Sequence, residues 1–354
     1  MRWAVRRVAI VLADLFVDDA ARTVATIEPP ALPALESLLR FATLRQPRSD
    51  WRDWLQRTLA LAPLPAAATV AAAREQFGDG AGRDAARDVW LATPVSLEAQ
   101  LNHVRLREQG LLTLSAAEQS ALTGEFARTF GPQLSLSATS PREFLLRGLD
   151  VAAAETIDPA RLLGRDIGPS LPRGAAAARL RSFASELELW LHDQPINQER
   201  RKRYVPDIAT LWLWGAGVPT VATQCINSGP STPITRVFAD DAYAGSCAQL
   251  AGLPDVAATP VSWAALQAHA TAPSAEQTSR SDIVVLWPMT ATASGLATLE
   301  SAWFAPLQAA LAAGQLDEVL LVANDRLFEI RHGARWQFWR KRVSWIDRLR
   351  CDQS

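Results

Sequence analysis

The amino-acid sequence predicts an α/β fold in which helices flank one largely parallel central sheet. Short apolar runs rich in Val, Ile and Leu have the composition of buried strands. In the second half of the chain such runs alternate with helical patterns at 241–252 and 294–313. Strands that alternate with helices in this way are typical of parallel sheets with crossover helices. The strands expected in this sheet lie at 6–12, 208–214, 282–287 and 317–323.

Length and composition favour one α/β domain over residues 1–354. Of the 354 residues, 49% are hydrophobic and 21% are charged, which is a globular composition with enough apolar residues for a sizeable core. The first half is less regular than the second. Residues 62–175 are therefore interpreted as a possible inserted α+β subregion packed on the same sheet.

The charge balance and the apolar runs argue against nucleic acid and membranes as partners. The net charge is -1, so no global field attracts polyanions. The start of the chain, MRWAVRRVAIVLADLF, is interpreted as a first strand instead of a signal peptide, because Asp14 interrupts a short apolar run. Three dispersed cysteines without CxxC spacing fit a reducing cytoplasm. We therefore expect a cytoplasmic protein.

Local signals predict several further elements. The segment VWLATPVSL, at 89–97, reads as a strand that enters a turn at Pro94. Ser115 and Glu118 have the spacing of a capping box before an amphipathic helix. The segments PQLSLSAT and REFLLRG alternate like the two strands of a hairpin. The segment RLFEIRHGARWQFWRK predicts a final hairpin with its turn at 332–333.

Residues 195–217, PINQERRKRYVPDIATLWLWGAG, place a basic run directly before an apolar strand and a Gly-Ala-Gly sequence. With the preceding Gln, this stretch resembles a segment of the cofactor-independent, archaeal-type phosphoglycerate mutases of the alkaline-phosphatase superfamily. The segments VFADDAYAGSCAQLAGLPDV and LESAWFAPLQAALAAGQLDEVLLVAND resemble later parts of the same family, in the same order. The resemblance covers about 195–330 and implies a degenerate core of that superfamily.

A second resemblance covers nearly the whole chain. The segments WLATPVSLEAQLNHVRL, ELELWLHDQPINQERR, LWLWGAG and FWRK together resemble the RpfE-type regulatory proteins of plant-pathogenic and related proteobacteria. Those proteins are cytoplasmic and are named for the regulation of pathogenicity factors. The resemblance implies a regulatory role for this chain.

The mutase resemblance also implies where metal ligands would lie, and the residues there depart from the family. The mutases hold two divalent metals with Asp and His at strand ends. Here Asp14 follows the first strand, although Ala13 could occupy the ligand position instead. Asp325 is present after the last strand, but Arg326 stands where the family has His, and a guanidinium offers a metal no lone pair. We interpret Asp14, Asp325 and Arg326 as vestigial positions and predict no metal, no cofactor and no catalytic residue.

The resemblance further indicates where a ligand would bind. Asn197 and Arg200 match the family pattern, whereas Trp214 replaces the Arg that grips an anion in the mutases. If a pocket remains, Arg200 offers a forked donor to a carboxylate or phosphate and Asn197 a directional hydrogen bond. We expect one of Trp212 and Trp214 to face this pocket and the other to face the core.

A structural interpretation of the same residues stays open. Leu211 to Trp214 are then core residues of a buried strand, and Arg200 pairs with an acidic residue such as Glu186 or Glu188. The basic run at 200–203 is then a solvated helix end. The segment RWQFWRKRVSW near the C-terminus mixes aromatic and basic residues, so it could dock on a partner or simply cover the sheet edge.

Together these observations predict a regulatory pseudoenzyme that binds an unidentified protein partner or a small anion. The alternative is an active phosphoglycerate mutase or metal-dependent phosphohydrolase, which the sequence leaves open. The identity of the ligand, the process regulated and the oligomeric state do not follow from the sequence.

Overall fold

The computed structural model describes residues 5–13, 15, 30–45, 50–77, 88–151, 154–217, 234–253, 257–270, 281–287, 293–323, 325–334 and 339–349. The chain forms two compact units, Met1–Leu61 with Ile226–Ser354 and Ala62–Cys225. Each unit contains its own β-sheet. Within the described ranges, no helix is long and apolar enough to cross a bilayer.

Strands and helices are numbered in chain order. The described strands are β1 (Val5–Leu12), β2 (Thr43–Arg45), β3 (Val89–Ala99), β4 (Val104–Leu111), β5 (Ser135–Ser140), β6 (Glu143–Arg147), β7 (Thr210–Trp214), β8 (Ile234–Ala239), β9 (Ser281–Trp287), β10 (Glu318–Ala323) and β11 (Arg326–Arg331). The described α-helices are α1 (Pro33–Phe41), α2 (Trp51–Thr58), α3 (Ala66–Phe77), α4 (Ala116–Phe130), α5 (Ala177–His192), α6 (Pro195–Lys202), α7 (Ala242–Leu250), α8 (Trp263–Ala270), α9 (Ala293–Leu299), α10 (Ala305–Ala312) and α11 (Trp345–Leu349).

Strand β1 lies inside the six-stranded sheet of the first unit, whose order is β2-β11-β10-β1-β9-β8. The four strands β8, β9, β1 and β10 are parallel. Strand β11 pairs antiparallel with β10, and β2 pairs antiparallel with β11. Residues Val8 to Leu12 of β1 are all buried, as expected for a strand covered on both faces. The sheet is therefore mixed, with a parallel part and an antiparallel edge.

Helix α1 is held at its N-terminus by a carboxylate from a distant part of the chain. A π-helical turn, Glu300–Phe304, joins α9 to α10 and carries Glu300. The backbone N–H of Ala34 donates to Glu300 Oε1 at 2.5 Å, and that of Leu35 donates to Oε2 at 3.2 Å. Because these N–H groups have no partner within the helix, the carboxylate satisfies them and complements the helix dipole. This contact fixes α1 against the core of the first unit.

Strand β3 organises the five-stranded sheet of the second unit, which is antiparallel throughout. Leu91 of β3 pairs with both Leu145 on β6 and Trp214 on β7, so β6 and β7 lie on opposite edges of β3. Strand β4 pairs with the C-terminal half of β3. The small residues of α3 pack against β3 and β6, and the N–H of Ala67 donates to the carbonyl of Gly215 at 3.0 Å. Gly215 adopts φ +73, a conformation that glycine reaches without strain.

The prediction of one largely parallel sheet is correct for three strands and wrong for the fourth. The runs at 6–12, 282–287 and 317–323 form β1, β9 and β10 and are parallel neighbours. The run at 208–214 forms β7, which lies in the antiparallel sheet of the other unit. All five residues of β7 are buried, so its composition is the same as that of a parallel core strand. The parallel strand that precedes α7 is β8, which the sequence analysis missed because Thr235 and Arg236 interrupt its apolar run.

Two local predictions are confirmed and two are wrong. The capping box of Ser115 and Glu118 is present, and β5 and β6 form the expected hairpin. Strand β3 continues through Pro94 instead of turning there, because the Pro94 carbonyl still accepts a hydrogen bond from Leu112. Strand β11 pairs with β10 on one edge and with β2 on the other, which leaves no free edge for the predicted final hairpin. Residues 335–338 of the expected second strand lie outside the described residues.

Candidate functional site

Asn197 is a buried link between three chain segments. Its side chain is 1% exposed. Its Nδ2 donates to the carbonyl of Leu191 at 2.8 Å and to that of Ile208 at 2.9 Å, and its Oδ1 accepts from the N–H of Ile208 at 2.8 Å. Both amide hydrogens and the oxygen are thus engaged by the backbone. Asn197 ties the end of α5 and helix α6 to the segment that precedes β7.

Arg200 is buried and holds the same region to helix α4. Its Nε donates to the carbonyl of Pro206 at 2.7 Å, and its Nη1 donates to Glu118 Oε1 at 2.8 Å. Arg203 reaches the same carboxylate oxygen at 2.7 Å. The acidic partner is therefore Glu118, a residue 82 positions away in the chain, and not the Glu186 or Glu188 named from the sequence.

Glu118 receives hydrogen bonds from four donors. Its Oε2 accepts from the backbone N–H of Ser115 at 2.8 Å and from the Ser115 hydroxyl at 3.0 Å, while Oε1 takes the two arginines. Partial burial alone would raise the pKa of Glu118, but the bonds from Ser115, Arg203 and Arg200 together lower it to about 2. One carboxylate thus caps α4 and fixes α6 at the same time.

Trp212 and Trp214 use their only polar atoms within the chain. Trp212 Nε1 donates to the carbonyl of Ile157 at 2.9 Å, and Trp214 Nε1 donates to Thr93 Oγ1 at 2.9 Å. The two residues are two apart in a strand, so they share one face, and the prediction that they face opposite sides is wrong. Leu211 and Leu213 point to the other face, where they pack with α4, α5 and Ile196 of α6.

The four residues expected to bind a ligand are therefore not gathered around one cavity by the described contacts. Asn197 and Arg200 belong to α6, on the Leu213 side of β7, whereas the two tryptophans point to the opposite face. Their ligand-binding role stays a prediction, and the contacts of Asn197 and Arg200 have the character of structural links.

The structure describes two of the three positions interpreted as vestigial metal sites, Asp325 and Arg326. Asp14 lies outside the described residues. Asp325 follows β10 and is half-buried, and Arg326 is buried at the start of β11, where its Nη1 donates to the carbonyl of Arg348 at 3.1 Å. Within the described ranges, no group of three His, Cys, Asp or Glu residues is close enough to hold a metal ion.

The first unit contains a basic cavity that the sequence analysis did not predict. Arg326 contacts Arg348, one of its lining residues. The cavity has a volume of about 380 Å³ and lies between the end of α1, strand β2 and the segment that leads into α11. Its lining residues include no carboxylate within the described chain. The cationic residues that line this basic cavity are Arg40, Arg340, Lys341 and Arg348.

Backbone carbonyls hold the arginines of the basic cavity in place. Arg340 Nη1 donates to the carbonyl of Ala42 at 2.9 Å, and Arg348 Nη2 approaches the same oxygen at 3.4 Å. Arg40 Nε donates to the carbonyl of Arg340 at 2.6 Å. Ala42 ends α1, and cations are favoured at this negative end of a helix dipole. The contacts of Arg340 and Arg348 each use one nitrogen of a guanidinium that carries five N–H donors.

Like charges lie close together in the basic cavity. Burial lowers the pKa of Arg348 below its usual range, and the charges of Arg340 and Arg326 lower it further. Arginine stays protonated in proteins, so the lowered pKa reflects first the cost of burying this charge and second its repulsion by Arg340 and Arg326. A bound anion would relieve that repulsion.

A sequence signal for the basic cavity existed in the segment RWQFWRKRVSW. Its mixture of basic and aromatic residues indicates a possible docking segment, but it does not indicate a cavity or the second wall of one. The second wall comes from Arg40 and Leu44, about 300 residues earlier in the chain. No local pattern links two segments that far apart.

Comparison with known proteins leaves the family of the chain unassigned. No protein-family model and no curated protein matches it. The PH0037 protein from Pyrococcus horikoshii is a similar solved structure, with 13% identity, a TM-score of 0.43, and coverage of 97% of this chain and 92% of that one. A cofactor-independent phosphoglycerate mutase from Thermoplasma acidophilum has 13% identity, a TM-score of 0.34, and coverage of 91% and 88%. These are distant structural likenesses, and membership of the RpfE-type family is not shown by them.

Replacing Arg200 tests its structural role. We expect Arg200→Ala to lower the free energy of unfolding by about 2–3 kcal/mol, because Glu118 loses a buried partner and the Pro206 carbonyl loses its donor. Thermal denaturation measures the loss, and Arg201→Ala, on the exposed side of the same helix, is the control. An unchanged melting temperature together with lost anion binding would instead support the ligand-binding role expected from the sequence.

The low pKa of Glu118 predicts a specific pH dependence. A carboxylate whose pKa is depressed on folding stabilises the native state above its ordinary value of 4.5, and this stabilisation is lost as pH falls toward 2. Glu118→Gln should therefore destabilise the protein at pH 7 by about 1–2 kcal/mol after allowance for solvent screening. The difference from wild type should shrink as pH falls below 4.5. Glu125→Gln, at an exposed ion pair on the same helix, should show neither effect.

Proposed function

We propose that this protein is a cytoplasmic, non-catalytic regulator of the RpfE type that works by binding a small anionic ligand in the basic cavity. The resemblance of the sequence to RpfE-type proteins motivates the regulatory part of the proposal. The basic cavity motivates the anion. The proposal locates the ligand there and not at Asn197 and Arg200, because those two side chains are engaged by the chain itself.

The observation that carries the proposal is the cluster of four cationic side chains around one cavity without a lining carboxylate. Arginines elsewhere in the chain have carboxylate partners: Arg200 and Arg203 share Glu118, and Arg45 pairs with Glu329. In contrast, no described carboxylate forms an ion pair with Arg340, Lys341 or Arg348. A cleft lined by one sign of charge concentrates ligands of the opposite sign.

A purely structural explanation covers only part of this cluster. Arg340 and Arg348 cap the carbonyl end of α1, which is an ordinary role for basic residues. Lys341 is exposed, lines the basic cavity and makes no hydrogen bond or ion pair within the described chain. Helix capping therefore does not account for Lys341.

The alternative function is an active phosphoglycerate mutase or metal-dependent phosphohydrolase. It requires divalent metals, which turn a hydroxyl or water into an effective nucleophile and stabilise phosphoryl transfer. We expect the purified protein to contain no stoichiometric manganese or zinc and to show no mutase activity when either metal is added. Elemental analysis of protein purified without chelators measures this. One or two tightly bound metal ions per chain would favour the enzyme.

Lys341 provides the cleanest test of the anion site. Inorganic phosphate should bind the wild-type protein at low ionic strength, and Lys341→Ala should weaken binding about tenfold, since a charge-assisted hydrogen bond contributes about 1.5 kcal/mol. Isothermal titration calorimetry measures both. Because Lys341 makes no described contact, the variant should keep the wild-type melting temperature.

Arg342→Ala is the matched control for that experiment. Arg342 is the next residue, equally basic and exposed, but it does not line the basic cavity. Equal weakening by the two variants would mean that phosphate responds to general surface charge. Unchanged binding in Lys341→Ala would exclude the basic cavity as the site.

A further inference from the structure

We propose that the natural ligand of the basic cavity is a small organic phosphate, a phosphate monoester dianion whose organic group lies against the apolar wall. This inference rests on the proposed function, because it names the chemical class of the anion bound there. Three properties of the basic cavity lead to it, namely its charge, the direction of its arginine donors and its volume.

The charge of the basic cavity calls for more than one negative charge. Arg40, Arg340, Lys341 and Arg348 line it, and Arg326 lies behind Arg348. Of these residues, Arg340, Lys341 and Arg348 form no ion pair with a described carboxylate, and a single carboxylate or sulfonate would balance only one of those three charges. A phosphate monoester has a second pKa of about 6, so it carries close to two charges at pH 7.5. A dianion therefore matches the basic cavity better than a monoanion does.

The donors of the basic cavity converge from two guanidinium groups. Arg340 and Arg348 both approach the carbonyl of Ala42, so their guanidinium groups meet at the end of α1. A carboxylate presents two oxygens in one plane, whereas a phosphoryl group presents three oxygens in three directions and so suits several forks at once. Two converging forks and a nearby lysine thus favour a phosphoryl group over a carboxylate.

The basic cavity is larger than a bare phosphate ion requires. Its volume of about 380 Å³ lies in the range of small-molecule sites, roughly 300–1,000 Å³. The rest of the lining comes from Leu39, Ala42, Thr43, Leu44 and Val343. Leu39 and Ala42 are each 1% exposed, so Leu44 and Val343 supply most of the accessible apolar surface. An apolar wall gains nothing from an inorganic ion but contributes binding free energy when an organic group covers it. The ligand is therefore expected to be an ester and not inorganic phosphate.

Four probes separate these properties when they are titrated into the full-length protein at pH 7.5. Phenyl phosphate carries the dianion and an organic group, benzenesulfonate and benzoate carry the organic group with one charge, and inorganic phosphate lacks the organic group. We expect phenyl phosphate to bind at least tenfold more tightly than each of the other three. Its affinity should fall several-fold at pH 5, where the monoester is largely a monoanion.

Each outcome of this titration supports or overturns a distinct statement. Equal affinity of benzenesulfonate and phenyl phosphate would overturn the dianion, and equal affinity of inorganic phosphate would overturn the organic group. Both results would leave anion binding in place. If none of the probes binds in a manner that depends on Lys341, the proposed function itself fails.

Arg348→Lys tests recognition by the arginine forks at constant charge. It should weaken phenyl phosphate at least fivefold while benzoate changes less, because lysine is a point charge without the planar fork. Equal losses for both probes would contradict fork recognition. Vesicles that contain phosphatidate carry the same monoester on a lipid. Lys341-dependent sedimentation with them would assign the phosphate to a lipid headgroup, and its absence would assign it to a soluble ester.

Discussion

The placement of helix α1 depends on charge at both of its ends, and the basic cavity depends on that placement. The carboxylate of Glu300 accepts from the first backbone N–H groups of the helix, and Arg340 and Arg348 donate to the carbonyl of Ala42 at its end. These partners lie more than 250 positions away in the chain. Helix ends carry backbone groups without intrahelical partners. Distant charged residues that bind these groups can therefore fix the position of a short helix, which local helix propensity alone does not do.

The second unit uses the same physical principle with the signs arranged differently. Glu118 caps the N-terminus of α4 and also accepts hydrogen bonds from Arg200 and Arg203, at the end of α6. Asn197 adds three hydrogen bonds to backbone groups of α5 and of the segment that precedes β7. Buried polar groups of this kind are costly when one partner is removed, because the remaining group stays desolvated. The basic run that first suggested an anion clamp therefore includes residues that hold helices together.

Sequence patterns predicted what depends on near neighbours in the chain. The β1, β9 and β10 strands, the capping box at Ser115 and the β5–β6 hairpin follow from short-range composition and spacing. The sheet in which β7 lies does not follow from such local signals, because a fully buried strand has the same apolar composition in a parallel and in an antiparallel sheet. The partner of Arg200 and the two walls of the basic cavity depend on contacts across 82 and about 300 positions, which no local period encodes.

Charge alone therefore does not identify a binding site in this protein; the partners of each charge do. Arg200 is a basic residue at a motif-like position, yet its forked donor is directed at Glu118 and Pro206. Lys341 lies outside the 195–217 stretch that suggested an anion clamp, yet it lines a cavity in which cations outnumber described acids. Folding stabilises a charged side chain when it brings an opposite charge or a carbonyl to it. Where the described residues leave a cluster of cations without a carboxylate, beside an apolar wall, a bound anion supplies the compensation that those residues do not.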